Sequence, residues 1–144
     1  MNTVYNIESI AETLTFEEGY RRFAYEDHLG YTTVGVGRCI EQGVGYGIDE
    51  EEAQWLLKRD VARVFLLCSR EFSEFWSDLS PNIREVIILL VFQMGLAGYS
   101  KFKNHLAAVR DGDWQAAAYH LLDSKFARQT PERAERMAAR IREG

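Results

Sequence analysis

The spacing of apolar residues divides the chain into helical parts and one strand-rich segment. Residues 3–17 carry apolar side chains at intervals of three and four, which is typical of one helix face. These are Val4, Ile7, Ile10, Ala11 and Leu14. Residues 23–40 are instead rich in Tyr, Thr, Val and Gly, which favours short strands joined by glycine turns.

A long helix is predicted from Asp49 onward. Asp49 can cap the helix while Glu52, three residues later, reaches back to the cap residue. The apolar stripe that follows indicates one buried face. It consists of Ala53, Leu56, Leu57, Val61, Val64 and Phe65.

The remaining chain has the pattern of several shorter helices. Ser80 and Pro81 predict a cap and first helical residue, and residues 86–92 (VIILLVF) predict a central buried helix. Residues 110–113 separate two further helices, with Gly112 suited to a left-handed end and Asp113 to the next cap. A small sheet among helices predicts an α+β fold, mostly α.

The last helix is predicted to begin at Thr130 and Pro131, which repeat the cap-and-proline pattern. Its two faces differ in polarity. The face expected to be buried consists of Ala134, Met137, Ala138 and Ile141, and the exposed face carries Arg133, Arg136 and Arg140.

Composition adds limits on the class of protein. The 144 residues suit a single domain, and 47% hydrophobic with 27% charged residues is ordinary globular composition. The N-terminus lacks the basic and apolar regions of a signal peptide, and residues 86–92 are too short to span a bilayer. Cys39 and Cys68 form no metal-binding or disulfide pattern, so we expect reduced thiols in a chain made in the cytosol.

Charge is unevenly distributed along the chain. The net charge of −5 argues against nucleic acid as a ligand. Residues 1–80 contain 7 basic and 15 acidic groups, whereas residues 81–144 contain 10 basic and 7 acidic groups. The basic part could face an anionic polymer, or could equally be an ordinary solvated surface.

The chain carries an ordered set of motifs that resembles one family. Residues 18–27 are EGYRRFAYED and residues 30–37 are GYTTVGVG. Later segments are IDEEEAQWLLKRDV, VFQMG and RQTPERAER. Together they resemble, in order and over nearly the whole chain, the lysozymes of T-even phages, the phage lysozyme or endolysin family.

The resemblance implies a single lysozyme-like domain, 1–144, with a two-lobed fold. The small β-containing lobe would cover about 19–48, and an interlobe helix about 49–70. The helical lobe would cover about 72–144 together with the N-terminal helix.

The resemblance also implies a muramidase that cleaves the β-1,4 bond between N-acetylmuramic acid and N-acetylglucosamine. Such cleavage usually needs one protonated and one ionised carboxyl group. By motif, Glu18 would be the general acid, and Asp27 with Thr33 would position the attacking water with inversion of configuration. Taken singly, these residues are equally well a solvated glutamate, a turn residue and a strand former.

Supporting and substrate-binding residues are implied in the same way. Arg133 would pair with Glu18 and orient it, although an exposed helix arginine contributes little by itself. A sugar cleft lined by both lobes would include five residues. They are Cys39, Phe92, Gln93, His105 and His120, of which Phe92 could as well be core, while His105 and His120 depart from the small polar residues expected there.

The chain departs from the family pattern in three ways. Arg38 stands where the family has a histidine that pairs with an aspartate, matched here by Asp60, so an Arg38–Asp60 ion pair is predicted. The connection from Gly37 to Ile48 is shorter than in the T-even prototype. The net acidity leaves the arginines of residues 128–142 as the expected contact with an anionic wall.

The resemblance leaves alternatives open. A lytic transglycosylase would need the acid but no water-positioning pair, and a catalytically silent module could bind wall without cleaving it. The basic last helix could add membrane activity without stable insertion. We expect a monomer that acts on peptidoglycan glycan strands, needs no cofactor or metal, and stays in the host cytoplasm until a holin-type lesion releases it.

Overall fold

The chain folds as a mostly helical α+β protein with one small antiparallel sheet, as predicted. The structure, a computed structural model, describes residues 6–144. Two compact units are present, Met1–Leu56 and Leu57–Gly144. Val4 and the predicted helix start at residue 3 lie outside the described residues.

The first unit begins with α1, Ile7–Glu18, which confirms the predicted N-terminal helix. Asn6 caps it, since its side chain accepts a hydrogen bond from the Ser9 N–H at 3.0 Å. Gly19 ends it with a φ of 72°, a conformation that favours glycine. The chain can therefore turn at once into the sheet.

The sheet consists of β1 (Arg21–Glu26), β2 (Thr32–Gly35) and β3 (Arg38–Cys39), in that order and all antiparallel. Thr33 lies on the central strand, opposite Tyr25 on one side and Cys39 on the other. Of residues 6–56, Thr33 is the one that is buried, with 3% of its surface exposed.

The predicted long helix is α2, Glu50–Glu71, and it crosses from the first unit into the second. Asp49 and Glu52 form the predicted capping box, with each side chain accepting the other residue's backbone N–H at 2.8 and 2.9 Å. Near its end, Cys68 is buried in the core of the second unit and Val64 packs against that core.

The second unit is helical throughout its described length. After a 3-10 turn at Trp76–Asp78, its helices are α3 (Pro81–Met94), α4 (Leu96–Ser100), α5 (Lys103–Asp111), α6 (Trp114–Leu122), α7 (Lys125–Gln129) and α8 (Pro131–Glu143). Among the described residues, no helix has the length and apolar character needed to cross a membrane.

Helix α3 lies at the centre of this core, as predicted. Its buried residues are Ile83, Val86, Ile87, Leu90 and Val91. Leu89 and Phe92 are 37% and 45% exposed, so the predicted central buried helix is not buried along its whole apolar segment. One side of α3 thus faces outward although its sequence is apolar there.

Most predicted helix caps are confirmed, but one differs. Ser80 accepts the Ile83 N–H, Gly112 adopts the left-handed conformation at the end of α5, and Asp113 caps α6. Thr130 does not cap α8, because its hydroxyl donates to the Phe126 carbonyl and so closes α7 instead.

The exposed face of α8 also differs from the prediction at one arginine. Ala134, Ala138 and Ile141 are buried as expected. Arg140 is half-buried, and its guanidinium bonds to the Asn82 side chain at 3.0 Å and to Glu85 at 2.6 Å. Arg140 therefore fixes α8 to α3 and is not a free surface cation.

Candidate active site

The carboxyl group of Glu18 lies against the turn between β2 and β3. Glu18 is the last residue of α1, and Gly37 belongs to that turn with a φ of 65°. A Cβ added to Gly37 would lie 3.0 Å from both Cδ and Oε2 of Glu18. Any side chain at residue 37 would therefore crowd the Glu18 carboxyl.

Asp27 follows β1 directly and is fixed by the turn that leads to β2. Its Oδ1 accepts the backbone N–H groups of Leu29 at 2.9 Å and Tyr31 at 2.8 Å. Its own N–H donates to the Tyr31 carbonyl at 2.9 Å. Within residues 6–144, Oδ2 accepts no hydrogen bond. Asp27 is a turn residue, and the turn leaves one carboxylate oxygen available.

Thr33 is also held by the backbone of Tyr31. Its Oγ1 donates to the Tyr31 carbonyl at 3.0 Å, so the peptide groups of Tyr31 contact both Asp27 and Thr33. Because Thr33 is also buried in the central strand, its hydroxyl has little freedom to rotate away. Asp27 and Thr33 are therefore both fixed by the backbone of Tyr31.

Arg38 has a different partner from the predicted one. Its guanidinium contacts a carboxylate oxygen of Glu52 at 2.9 Å, and its Nε donates to the Gly47 carbonyl at 2.8 Å. Asp60 pairs with Arg63 at 3.2 Å. The capping box explains the correction, since it places the Glu52 carboxylate where it receives both the Asp49 N–H and Arg38.

Cys39 lies on β3 beside Thr33 and is a half-buried free thiol. The loop after β3 folds back over it, because the Tyr46 N–H donates to the Cys39 carbonyl at 3.0 Å. A Cβ on Gly45 would lie 2.8 Å from the Cys39 sulfur. The predicted substrate contact of Cys39 stays a prediction.

Comparison with known proteins assigns this chain to a family. The model of the family described as phage lysozyme matches residues 15–140, a range that includes Glu18, Asp27 and Thr33. The chain belongs to the phage lysozyme family.

Individual relatives agree with this assignment. The chain is 28% identical to the probable T4-type lysozyme 2 of Dictyostelium discoideum, over 91% of this chain and 92% of the relative. The probable T4-type lysozyme 1 of the same organism is also 28% identical, over 96% of both chains. A peptidoglycan hydrolase, gp36 of Pseudomonas phage phiKMV, is 32% identical over 86% of this chain and 14% of the relative. The protein is thus a lysozyme-type hydrolase.

Two residues implied by the lysozyme motifs lie near the end of α3. Phe92 is partly exposed, with 45% of its surface accessible. The side-chain oxygen of Gln93 is buried and has no hydrogen-bond partner among the described residues. Such an acceptor is costly unless a donor reaches it, so it fits the predicted substrate role, which stays a prediction.

His105 is a core residue, contrary to the expected substrate contact. It is 2% exposed, and its ring lies between the Tyr99 hydroxyl at 2.9 Å and the Ala117 carbonyl at 2.8 Å. Because a carbonyl only accepts, Nδ1 carries the proton and Nε2 accepts from Tyr99. Burial lowers the pKa of His105, which favours this neutral form. Neither ring nitrogen is available to a sugar.

The other two predicted site residues of the second unit, His120 and Arg133, are accessible to solvent. His120 is half-buried on α6, with its ring edge-on to Tyr119 at 5.3 Å between centroids. Arg133 is exposed on the first turn of α8. The substrate contact of His120 and the pairing of Arg133 with Glu18 both stay predictions.

The structure adds residues that motif reasoning missed. Gly37 and the backbone of Tyr31 position the three motif residues, and Glu41 accepts the Thr32 N–H at 3.0 Å beside them. Hydrogen bonding to the Thr32 hydroxyl, and secondly to the Thr32 N–H, lowers the pKa of Glu41. The spacing of Asp27 to residues two and four later could have predicted the Tyr31 contact, as an Asx turn.

No metal site accompanies these groups in the part of the chain that the structure describes. Residues 6–144 contain no set of three or more His, Cys, Asp and Glu side chains placed to hold an ion.

Proposed function

We propose that this lysozyme hydrolyses the β-1,4 bond between N-acetylmuramic acid and N-acetylglucosamine in peptidoglycan, with inversion at the anomeric carbon. The names of two phage relatives support the substrate. One is the phiKMV peptidoglycan hydrolase, and the other is an endolysin of Acyrthosiphon pisum secondary endosymbiont phage 1, 29% identical over 70% of this chain and 66% of the relative.

The observation that carries the proposal is that the backbone of Tyr31 fixes both Asp27 and Thr33. The N–H of Tyr31 donates to the Asp27 carboxylate, and the carbonyl of Tyr31 accepts from the Thr33 hydroxyl. A free carboxylate oxygen and a neighbouring hydroxyl can hold one water molecule between them, since each accepts a hydrogen bond from it. A transglycosylase or a silent binding module would have no need for such a pair.

The reaction then proceeds in one displacement. Glu18 gives its proton to the glycosidic oxygen, and the bond from this oxygen to the anomeric carbon breaks. Water held by Thr33 and Asp27 attacks the carbon from the opposite face, and Asp27 takes the proton that the water loses. Each of the two products then carries a neutral hydroxyl group where the bond was cleaved.

The position of the two carboxyl residues relative to the sheet supports inversion. Glu18 lies at the turn that follows β2, whereas Asp27 belongs to the turn that precedes it. A four-residue strand, with a rise of roughly 3.3 Å per residue, separates the two turns. Inverting glycosidases keep their carboxyl groups well apart so that water fits, whereas retaining ones bring them close.

Product analysis tests this mechanism. Purified peptidoglycan is digested, the fragments are identified by mass spectrometry, and the anomer formed first is followed by proton NMR. We expect reducing N-acetylmuramic acid ends that appear first as the α anomer. Anhydro ends would show a lytic transglycosylase, a first β anomer would show retention, and absence of cleavage with retained wall binding would show a silent module.

The biological role proposed with this activity is lysis of a bacterial host by a phage enzyme. The protein would act as a monomer on glycan strands, accumulate in the host cytoplasm and reach the wall after a holin-type lesion. A cell-fractionation experiment checks this order: the enzyme should stay with the cytoplasm and leave cells intact until the inner membrane is permeabilised.

A further inference from the structure

One carboxylate outside the lysozyme motifs holds the strand that carries Thr33. Glu41 lies just after β3, and its Oε2 accepts the backbone N–H of Thr32 at 3.0 Å. The Thr32 hydroxyl donates to the same carboxylate, and this bond, more than the one from the N–H, lowers the pKa of Glu41. Among residues 6–144 Glu41 forms no ion pair, and Thr32 is the residue that its carboxylate holds.

The Glu41 side chain completes the hydrogen bonding between β2 and the chain after β3. In a hydrogen-bonded antiparallel pair, two residues exchange both N–H···O bonds through their backbones. Here the Ile40 N–H donates to the Thr32 carbonyl at 2.8 Å, but the Thr32 N–H donates to the Glu41 side chain at 3.0 Å. A side chain thus provides the acceptor that a backbone carbonyl usually provides, so this end of the pairing depends on the residue at position 41.

Successive backbone groups at the start of the central strand bond to opposite sides of it. The N–H and carbonyl of Tyr31 bond to Asp27 on the β1 side. Those of Thr32 bond to residues 40–41 on the β3 side. Because Thr32 is joined covalently to both Tyr31 and Thr33, holding Thr32 also restricts the backbone on either side of it.

Glu41 is itself fixed by the loop that follows. Its carbonyl accepts the N–H groups of Val44 at 3.1 Å and Gly45 at 2.9 Å, which makes a turn. The Tyr46 N–H then donates to the Cys39 carbonyl at 3.0 Å, so the turn is brought back against β3. The Glu41 backbone is therefore already ordered, and its side chain loses little further freedom when it bonds to β2.

We propose that Glu41 is a positioning residue for the hydrolysis, because its hold on Thr32 keeps the start of β2 in place. With that segment it keeps the Asp27 carboxylate and the Thr33 hydroxyl in the geometry that catalysis needs. This inference rests on the proposed function, in which these two groups hold the attacking water. Small displacements of reacting groups lower rates steeply, so loosening this segment should reduce kcat without weakening the binding of glycan.

The kinetics of three variants on purified peptidoglycan test this role, at a temperature where all are folded. Glu41→Leu removes the acceptor and should lower kcat by roughly tenfold, with KM changed by less than about twofold. Glu41→Gln keeps an oxygen that can accept the Thr32 N–H, so it should retain most of the wild-type kcat. Gln42→Leu, a change of the exposed neighbour in the same loop, should leave kcat and KM unchanged.

Amide hydrogen exchange followed by NMR shows whether the effect reaches Asp27. The Tyr31 N–H donates to the Asp27 carboxylate, so its exchange should become faster in Glu41→Leu. It should stay as slow as in the wild type in Glu41→Gln and Gln42→Leu. A residue that only stabilised the loop would change exchange at Thr32 and leave Tyr31 as it is.

Failure of this inference is distinguishable from failure of the proposed function. If the wild type cleaves peptidoglycan, a wild-type kcat in Glu41→Leu, a change confined to KM, or an equal loss in Gln42→Leu would overturn the positioning role alone. Unchanged exchange at Tyr31 in Glu41→Leu would overturn it whatever the activity. A wild type that releases no reducing ends would overturn the proposed function and this inference with it.

Discussion

The Glu18 carboxyl group lies so close to Gly37 that a Cβ at residue 37 would crowd it. A Cβ on Gly37 would lie 3.0 Å from Glu18 Oε2, closer than most Cβ contacts in proteins. Gly37 also has a positive φ of 65°, a conformation that favours glycine. The β2–β3 turn therefore acts as a positioning surface for the proposed acid.

Replacing this glycine should impair activity beyond its effect on stability. Gly37→Ala should destabilise the fold by about 1 kcal/mol through backbone strain. It should also lower the rate of peptidoglycan hydrolysis by about tenfold or more, because it displaces Glu18. The control is Gly43→Ala, since Gly43 has a φ of 82° and open space around its Cβ position. Equal activity of the two variants at equal stability would contradict the positioning role.

The Thr33 hydroxyl should act in the transition state. Thr33→Val keeps the shape of this buried side chain but removes the donor to the Tyr31 carbonyl, which still accepts the Asp27 N–H. We expect a stability loss of about 1 kcal/mol and a kcat at least roughly tenfold lower with little change in KM. Thr33→Ser should retain most of the activity. A wild-type kcat in the valine variant would remove Thr33 from the mechanism.

The Arg38–Glu52 pair can be distinguished from the Arg38–Asp60 pair by double-mutant cycles. With side chains 38% and 39% exposed, Arg38 and Glu52 should show a coupling energy of only about 0.5 kcal/mol. The variants are Arg38→Gln with Glu52→Gln, which keeps an acceptor for the Asp49 N–H, and Arg38→Gln with Asp60→Asn. Urea unfolding should give measurable coupling for the first pair and none for the second; the reverse result would restore the original prediction.

Burial of His105 should make stability depend on pH. Its pKa is lowered in the folded state, mainly by burial, so the unfolded chain binds a proton at a higher pH than the folded one. The free energy of unfolding should therefore fall as the pH drops below the ordinary histidine value of about 6.5. Urea unfolding between about pH 7 and pH 5.5 measures this slope.

Two variants test whether His105 causes this pH dependence of the free energy of unfolding. His105→Gln should flatten it whatever its effect on absolute stability, and His28→Gln, on an exposed turn, should leave it as in the wild type. A slope that persists in the His105 variant would mean that another group causes the pH dependence.

The structural features predicted correctly from the sequence depend on residues that are close to one another in the chain. The Asp49–Glu52 capping box, the Ser80 cap and the left-handed Gly112 each depend on neighbours no more than five positions away. The mostly helical α+β fold follows from such local patterns together with apolar periodicity.

The wrong predictions about arginine side chains concern contacts over longer distances in the chain. A long arginine side chain can reach several carboxylates, and spacing alone did not distinguish Glu52 from Asp60 as the partner of Arg38. Likewise, Arg140 lies on a charged helix face but meets Asn82, 58 positions away. Such choices are made by tertiary packing, which apolar periodicity does not specify.

The candidate site also combines contacts between residues near in the chain, which the sequence can predict, with contacts between distant residues, which it cannot. The motifs named Glu18, Asp27 and Thr33, but the family pattern does not describe how they are held. The Asx turn from Asp27 to Tyr31 is local and could have been predicted. The contact of Glu18 with Gly37 joins a helix end to a hairpin 19 positions later, and only the folded structure reveals it.

The most direct test of the account is the rate of glycosidic cleavage in Glu18→Gln beside Glu17→Gln. Both change one exposed glutamate at the end of α1 into its neutral isostere, so they differ only in position. The account predicts that Glu17→Gln releases reducing ends from purified peptidoglycan at the wild-type rate, while Glu18→Gln, folded and equally stable, releases almost none. Comparable cleavage by the two variants would contradict the assignment of Glu18 as the general acid.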